Sequence, residues 1–145
     1  MAEQDEIHDS PVGWVHKDIQ EYVATDGDSG NKSPGTPTLL LTTRGRKSGL
    51  KRRTALIYGT DGGNYVVVAS NGGSAHHPTW YLNLVQTPEV ELQVGAEKFT
   101  AVAHTAAPEE KTRLWPIMTA IFPMYAKFQA STERDIPVVV FVPAP

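Results

Sequence analysis

Thr38-Leu39-Leu40-Leu41-Thr42-Thr43, Arg53-Thr54-Ala55-Leu56-Ile57-Tyr58 and Tyr65-Val66-Val67-Val68-Ala69-Ser70 decide the fold. The three runs are rich in β-branched and apolar residues, and each has strand length. Asp61-Gly62-Gly63-Asn64 separates the second from the third and carries the residues of a tight hairpin. Further along, Val90–Val94, Lys98–His104 and Pro137–Val142 read the same way, with Gly95-Ala96 as the turn between the first two. Two helical stretches interrupt these six strands. Pro78–Gln86 is bracketed by Pro78 and Pro88, and a second stretch starts at Pro108 with Glu109 and Glu110 where the helix dipole favours acids. Pro116 and Pro123 should kink or break that stretch, giving two or three short helices. Strands joined mostly by hairpins, without regular β-α-β alternation, predict an antiparallel barrel with helices packed outside, a mainly β, α+β fold.

Ahead of the strands, Ser10 reads as an N-cap and Pro11 as a first helical position. Val12, Val15, Ile19 and Tyr22-Val23 then form one apolar stripe. From Thr25 to Pro37 the chain is dense in turn formers, which predicts a mobile linker. The expected organisation is an N-terminal helix and linker over residues 1–37 and a barrel over 38–145.

Composition narrows the chemistry. The 145 residues suit one domain and include no cysteine, which excludes disulfides, thiolate metal sites and thiol nucleophiles. No apolar run approaches the roughly 20 residues of a membrane span. The acidic start, Met1 to Glu6, is unlike a signal peptide, so a cytoplasmic protein is expected. The net charge is −3, yet Arg44, Arg46, Lys47, Lys51, Arg52 and Arg53 lie together, leaving seven basic against sixteen acidic residues elsewhere. Such a patch on an acidic chain suits one specific anion, and a nucleic-acid partner is not expected.

Gly45-Arg46-Lys47-Ser48-Gly49 offers cations and turn amides between two strands without the order of a Walker A loop. On charge pattern alone such a run is more often a solvated turn. Asn71-Gly72-Gly73-Ser74, followed by His76-His77-Pro78-Thr79-Trp80-Tyr81-Leu82-Asn83, is a glycine-rich turn feeding a helix start, which could receive a negative group. Trp80 and Tyr81 could wall a flat ring, or equally belong to the core. No histidine pair has metal-ligand spacing, so no metal is expected. Ser70 and Ser74 lack a nucleophile elbow. Phe122, Tyr125 and Phe128, three residues apart, read first as the core face of the last helix.

Taken in order, Gly45 to Gly49 with Arg52, Ala69 to Gly73, Pro78 to Leu84 with Pro88, and Ile136-Pro137-Val138-Val139 resemble the deazaflavin-dependent nitroreductase and F420H2-dependent quinone reductase family. The resemblance implies a six-stranded antiparallel split β-barrel of the FMN-binding type, and coenzyme F420 as hydride donor. It implies that Arg46, Lys47, Ser48 and Arg52 hold the phosphate and polyglutamate tail. It lays Arg53, Thr54, Ala55 and Leu56 along the coenzyme, with Val68, Ala69, Ser70 and Asn71 at the deazaflavin ring and Thr79, Trp80, Tyr81, Leu82 and Asn83 at the helix start. Tyr125 and Ser70 are its catalytic positions, and Phe122, Tyr125 and Phe128 its substrate pocket. Where a nitroimidazole-activating relative has three tyrosines, this chain has Phe122, Tyr125 and Phe128, and it has Asn71 and Thr79 in place of a lysine and a methionine.

The expected function is hydride transfer from reduced F420 to small electron-poor acceptors: quinones, nitroaromatics, enones or unsaturated lactones such as coumarins. A menaquinone acceptor would bring the protein to the inner membrane face. The alternative is a flavin, deazaflavin or haem carrier without turnover.

Overall fold

The computed structural model describes residues 7–10, 13–25 and 37–144. In chain order its elements are β1 (Ile7–Asp9), α1 (Gly13–Ala24), β2 (Thr38–Arg44), β3 (Lys51–Ile57), β4 (Gly59–Asp61) and β5 (Asn64–Val68). A 3-10 turn at Asn71–Gly73, α2 (Thr79–Gln86), β6 (Glu89–Val94) and β7 (Glu97–Thr105) follow. The chain ends with α3 (Pro108–Ile121), α4 (Met124–Ala130) and β8 (Val138–Pro143). None of the described helices is long and apolar enough to cross a membrane.

The strands form one sheet in the order β1-β3-β2-β6-β7-β8-β5-β4. Its neighbours run antiparallel except β1 and β3, which are parallel. The architecture is mainly β with helices, α+β, but the expected six-stranded antiparallel split barrel is corrected. The sheet has eight strands of mixed direction and is open, with β1 and β4 as its edges. All six expected runs are strands, shifted by up to two residues at their ends. The two additional strands have three residues each, too few for a period-2 pattern to register.

Burial explains why the central strands read as unbroken apolar runs. Leu39 and Leu41 point into a core with Val67, Leu84, Leu92, Val139 and Phe141. Leu40, on the other face of β2, packs under Val15, Ile19 and Tyr22 of α1. Val66, Val68, Val138 and Val140 meet Leu114, Met118 and Tyr125 of α3 and α4. Both faces of these strands are covered, so alternation disappears. Hairpin chemistry is as read: Asp61 pairs with Asn64 across Gly62 and Gly63, whose φ angles are 57° and 91°.

The helices differ in detail. α1 starts at Gly13, and the Pro11 and Val12 expectations, like most of the linker, lie outside the described residues. Val15, Ile19 and Tyr22 are buried, but Val23 is 41% exposed and leaves the stripe. Pro116 does not break α3; the helix runs through it to Ile121, and the break falls at Phe122-Pro123. Pro116 is exposed, so the missing N–H is lost on the solvent side. Phe122, Tyr125 and Phe128 therefore straddle two helices instead of lining one.

Candidate functional site

The β2–β3 hairpin divides its six basic side chains into two sets. Strand register does the sorting. In the antiparallel pair, Arg52, Thr54 and Leu56 stand opposite Thr43, Leu41 and Leu39, on the inner face. Lys51, Arg53 and Ala55 stand on the outer face, opposite Arg44, Thr42 and Leu40. On that outer face the charges are consumed: Lys51 pairs with Glu91 at 3.1 Å, and Arg53 grips Asp9 of β1 through two hydrogen bonds. Arg44 donates to the Gly49 carbonyl at 2.9 Å and holds the turn.

Arg46, Lys47 and Arg52 remain. All three are exposed, and no described residue pairs with them. The turn that carries Arg46 and Lys47 is closed by hydrogen bonds. The Gly45 N–H donates to the Leu50 carbonyl at 2.7 Å, the Gly49 N–H to the Gly45 carbonyl at 2.8 Å, and the Leu50 N–H to Ser48 Oγ at 3.2 Å. Gly49 has φ 72°, a left-handed position that a side chain would strain.

Helix α2 joins this hairpin to the turn after β5. Asn83, 2% exposed, accepts from the Arg46 N–H at 3.1 Å and donates to Thr43 Oγ1 at 3.2 Å. Asn83 thus acts as a brace between helix and hairpin. Trp80 and Tyr81 are half-buried and pack on the main core, and the Tyr81 hydroxyl bonds Thr105 Oγ1 at 2.9 Å. Leu82 is half-buried, and Thr79 is exposed at the helix start. Behind the helix start runs the segment Ala69 to His77.

That segment is held in an unusual shape. Asn71, Gly72 and Gly73 have φ of 48°, 63° and 82°, three consecutive positive values. A non-glycine residue at positive φ costs roughly 1–2 kcal/mol, and such strain persists only where the surroundings fix it. Asn71 Nδ2 donates to the His76 carbonyl at 3.0 Å. Gly73 lies against α4 so closely that a Cβ would sit 2.4 Å from Ser131 Oγ and 3.1 Å from the Phe128 carbonyl oxygen. Arg134, which the sequence reading passed over, binds the same segment.

Ser70 and Tyr125 flank this turn. Ser70 is 9% exposed and Tyr125 5%. Neither hydroxyl has a partner among the described residues. Every sealed side-chain polar atom among those residues is hydrogen-bonded, so both hydroxyls keep contact with solvent. Burial of the Tyr125 ring pushes its pKa up to about 12, which keeps the phenol protonated at neutral pH. Phe122 stacks edge-on against Tyr125 at 5.1 Å and lies 6.4 Å from Phe128, so these three aromatics do meet across the helix break. Val68 shares their cluster, and Ala69 is fully buried.

The structure thus brings Arg46, Lys47, Ser48 and Arg52, then Asn83, then the Ala69–His77 turn, then Tyr125, into one sequence of connected contacts. It sends the side chains of Arg53 and Ala55 to the opposite face of the sheet, under β1 and α1.

Comparison with known proteins identifies the family. The family model for F420H(2)-dependent quinone reductases matches residues 14–143. The F420H(2)-dependent quinone reductase of Mycobacterium tuberculosis strain H37Rv is 42% identical over 123 residues, 82% of this chain and 83% of that protein. Among solved structures, an F420-H2 dependent reductase (FDR-A) superposes with a TM-score of 0.68 at 38% identity, covering 72% of this chain and 93% of its own. A second chain, described as a domain-swapped dimer, gives 0.70 at 34% identity and covers 91% of this chain and 99% of its own. On the matched length and identity, this chain belongs to the F420H(2)-dependent quinone reductase family.

Proposed function

We propose that this chain reduces quinones, and with them nitroaromatics, enones and unsaturated lactones such as coumarins, using F420 held across the hairpin, α2 and the Ala69–His77 turn. The observation that carries the reading is the sorting of the basic hairpin. Lys51 and Arg53 are paired with acids on the outer face and Arg44 is bonded into the turn, while Arg46, Lys47 and Arg52 stay exposed and unpaired among the described residues. Three unpaired cations fit a polyanionic tail, because guanidinium and ammonium groups give charge-assisted hydrogen bonds to phosphate and carboxylate. The residues present therefore fit the coenzyme.

Ser48 would add its hydroxyl to the tail site. Val68, Ala69, Ser70 and Asn71, with Thr79 to Leu82, would border the ring, and Asn83 would keep hairpin and helix in register. When bound, reduced F420 supplies a hydride, the chemistry a flat electron-poor acceptor needs. The protein's own share is position, exclusion of water and one proton donor. Phe122 and Phe128 supply apolar walls beside the acceptor. The Tyr125 hydroxyl, protonated and without a partner among the described residues, donates a hydrogen bond or a proton to the acceptor oxygen as charge develops there. Ser70 offers a second hydroxyl at the same turn.

A panel of menadione, a nitroaromatic and a coumarin, assayed with reduced F420, tests the acceptor range. Oxidation by menadione alone would confine the activity to quinones. Tight F420 binding without turnover on any member would favour a carrier.

A further inference from the structure

We propose that Arg134 is the positioning residue of the active site: its guanidinium fixes the Ala69–His77 turn in the shape that receives the coenzyme ring. The inference rests on the assignment of that turn to the ring. Arg134 lies between α4 and β8, and each guanidinium nitrogen is engaged. Nε donates to the Ser74 carbonyl at 3.1 Å, Nη2 to the Ser70 carbonyl at 2.7 Å, and Nη1 to the Ala69 carbonyl at 3.1 Å. Nη1 also donates to Nδ1 of His77 at 2.8 Å. One planar fork thus ties four points along nine residues, a task for which a lysine ammonium lacks the reach and the geometry.

The position of the fork explains why it is needed. Pairing of β5 with β8 ends at Val68 and Val138, followed by one more bond from the Ala69 N–H to the Pro137 carbonyl. Beyond that point β5 has no strand beside it among the described residues, and Arg134 takes the place of one by donating to the next two carbonyls, those of Ala69 and Ser70. The Arg134 backbone is itself fastened: Gln129 Nε2 donates to its carbonyl at 2.7 Å, and Gln129 Oε1 accepts from the Ile136 N–H at 2.9 Å. The strained Asn71–Gly73 turn lies between two of the anchored carbonyls, those of Ser70 and Ser74.

The contact with His77 has a spectroscopic consequence. Arginine only donates, so Nδ1 of His77 must accept, and the imidazole is neutral with its proton on Nε2. Burial and the guanidinium both lower the His77 pKa. The ring is seated on Tyr81 at 4.9 Å, so the same contact that shapes the turn fixes the start of α2.

The test compares wild type, Arg134→Gln, Arg134→Lys and His77→Gln for F420 affinity, kcat and acceptor KM with menadione, thermal midpoint, and the imidazole nitrogen spectrum of His77. The expected result is a kcat on the order of a hundredfold lower in both Arg134 variants, as for misplacement by about 1 Å, with acceptor KM little changed. His77→Gln removes one of four contacts and gives a smaller loss. The His77 spectrum shows the Nε2–H tautomer in wild type and a tautomer mixture in Arg134→Gln. Should Arg134→Gln fail to fold, Arg134→Lys and His77→Gln carry the comparison. Wild-type kcat and F420 affinity in the variants, or a single His77 tautomer that survives loss of Arg134, would overturn the proposal alone. Failure of the wild type to bind F420 would overturn the reading of the turn and this proposal with it.

Discussion

Arg53 donates to Asp9 from both Nε and Nη2, while its neighbour Arg52, one residue earlier on the same strand, points to the other face with no partner among the described residues. Adjacent arginines in one basic run thus have opposite roles, and the strand's period of two separates them. Arg53 ties the short parallel edge strand β1 to β3, with Gln20 of α1 donating to the same carboxylate at 2.9 Å.

Arg53→Ala should destabilise the fold by about 3 kcal/mol, since it leaves the Asp9 carboxylate, 9% exposed, without its cation. Denaturant midpoints would register this, and F420 affinity in the folded fraction should stay near wild type.

Lys47→Ala with Arg52→Ala should do the reverse. Coenzyme binding weakens by about 1.5–3 kcal/mol per charged hydrogen bond lost, while the thermal midpoint hardly moves, because neither side chain holds the fold. A fluorescence titration of F420 beside a melting curve separates the two. A large loss of stability with unaltered affinity would exchange the roles of Arg52 and Arg53.

Asn83→Leu leaves the Arg46 N–H and Thr43 Oγ1 without their buried partner. A cost of about 1–3 kcal/mol in stability is expected, together with weaker F420 binding as the hairpin loosens from α2. Hydrogen exchange at the Arg46 amide would report the loosening directly.

Tyr125→Phe should lower turnover while leaving F420 affinity nearly unchanged. The same variant has a distinct pH signature. The folded pKa of Tyr125 is raised from 10.0 to about 12, so folding favours the protonated form. Its contribution is full below about pH 10 and is lost as pH rises from 10 through 12, on the order of 3 kcal/mol. Wild type should therefore lose more stability than Tyr125→Phe across that alkaline range.

Strand content, both glycine hairpins and the residues of the basic hairpin are legible in the sequence because each depends on local pattern. The eight-stranded open sheet is not, because three-residue strands such as Ile7–Asp9 leave no periodic trace, and this one meets β3, some forty residues away in sequence, through backbone pairing and the Arg53–Asp9 contact. The stretch is two helices, as its prolines imply, but which proline ends the first is not legible: a proline costs a helix least on its solvent side, and which side that is depends on packing. Arg134 is one charged residue between Glu133 and Asp135 in a loop, just ahead of the Ile136-Pro137-Val138-Val139 motif and outside it. Only the folded chain shows that it meets Ala69, Ser70, Ser74 and His77.

The most direct measurement follows the absorbance of reduced F420 mixed with the wild-type protein, with and without menadione, alongside parallel binding titrations of F420, FMN and haem. Tight F420 binding and menadione-dependent reoxidation, both weakened in Lys47→Ala with Arg52→Ala, is the predicted result. Binding of FMN or haem with no measurable affinity for F420 would contradict the account at its centre.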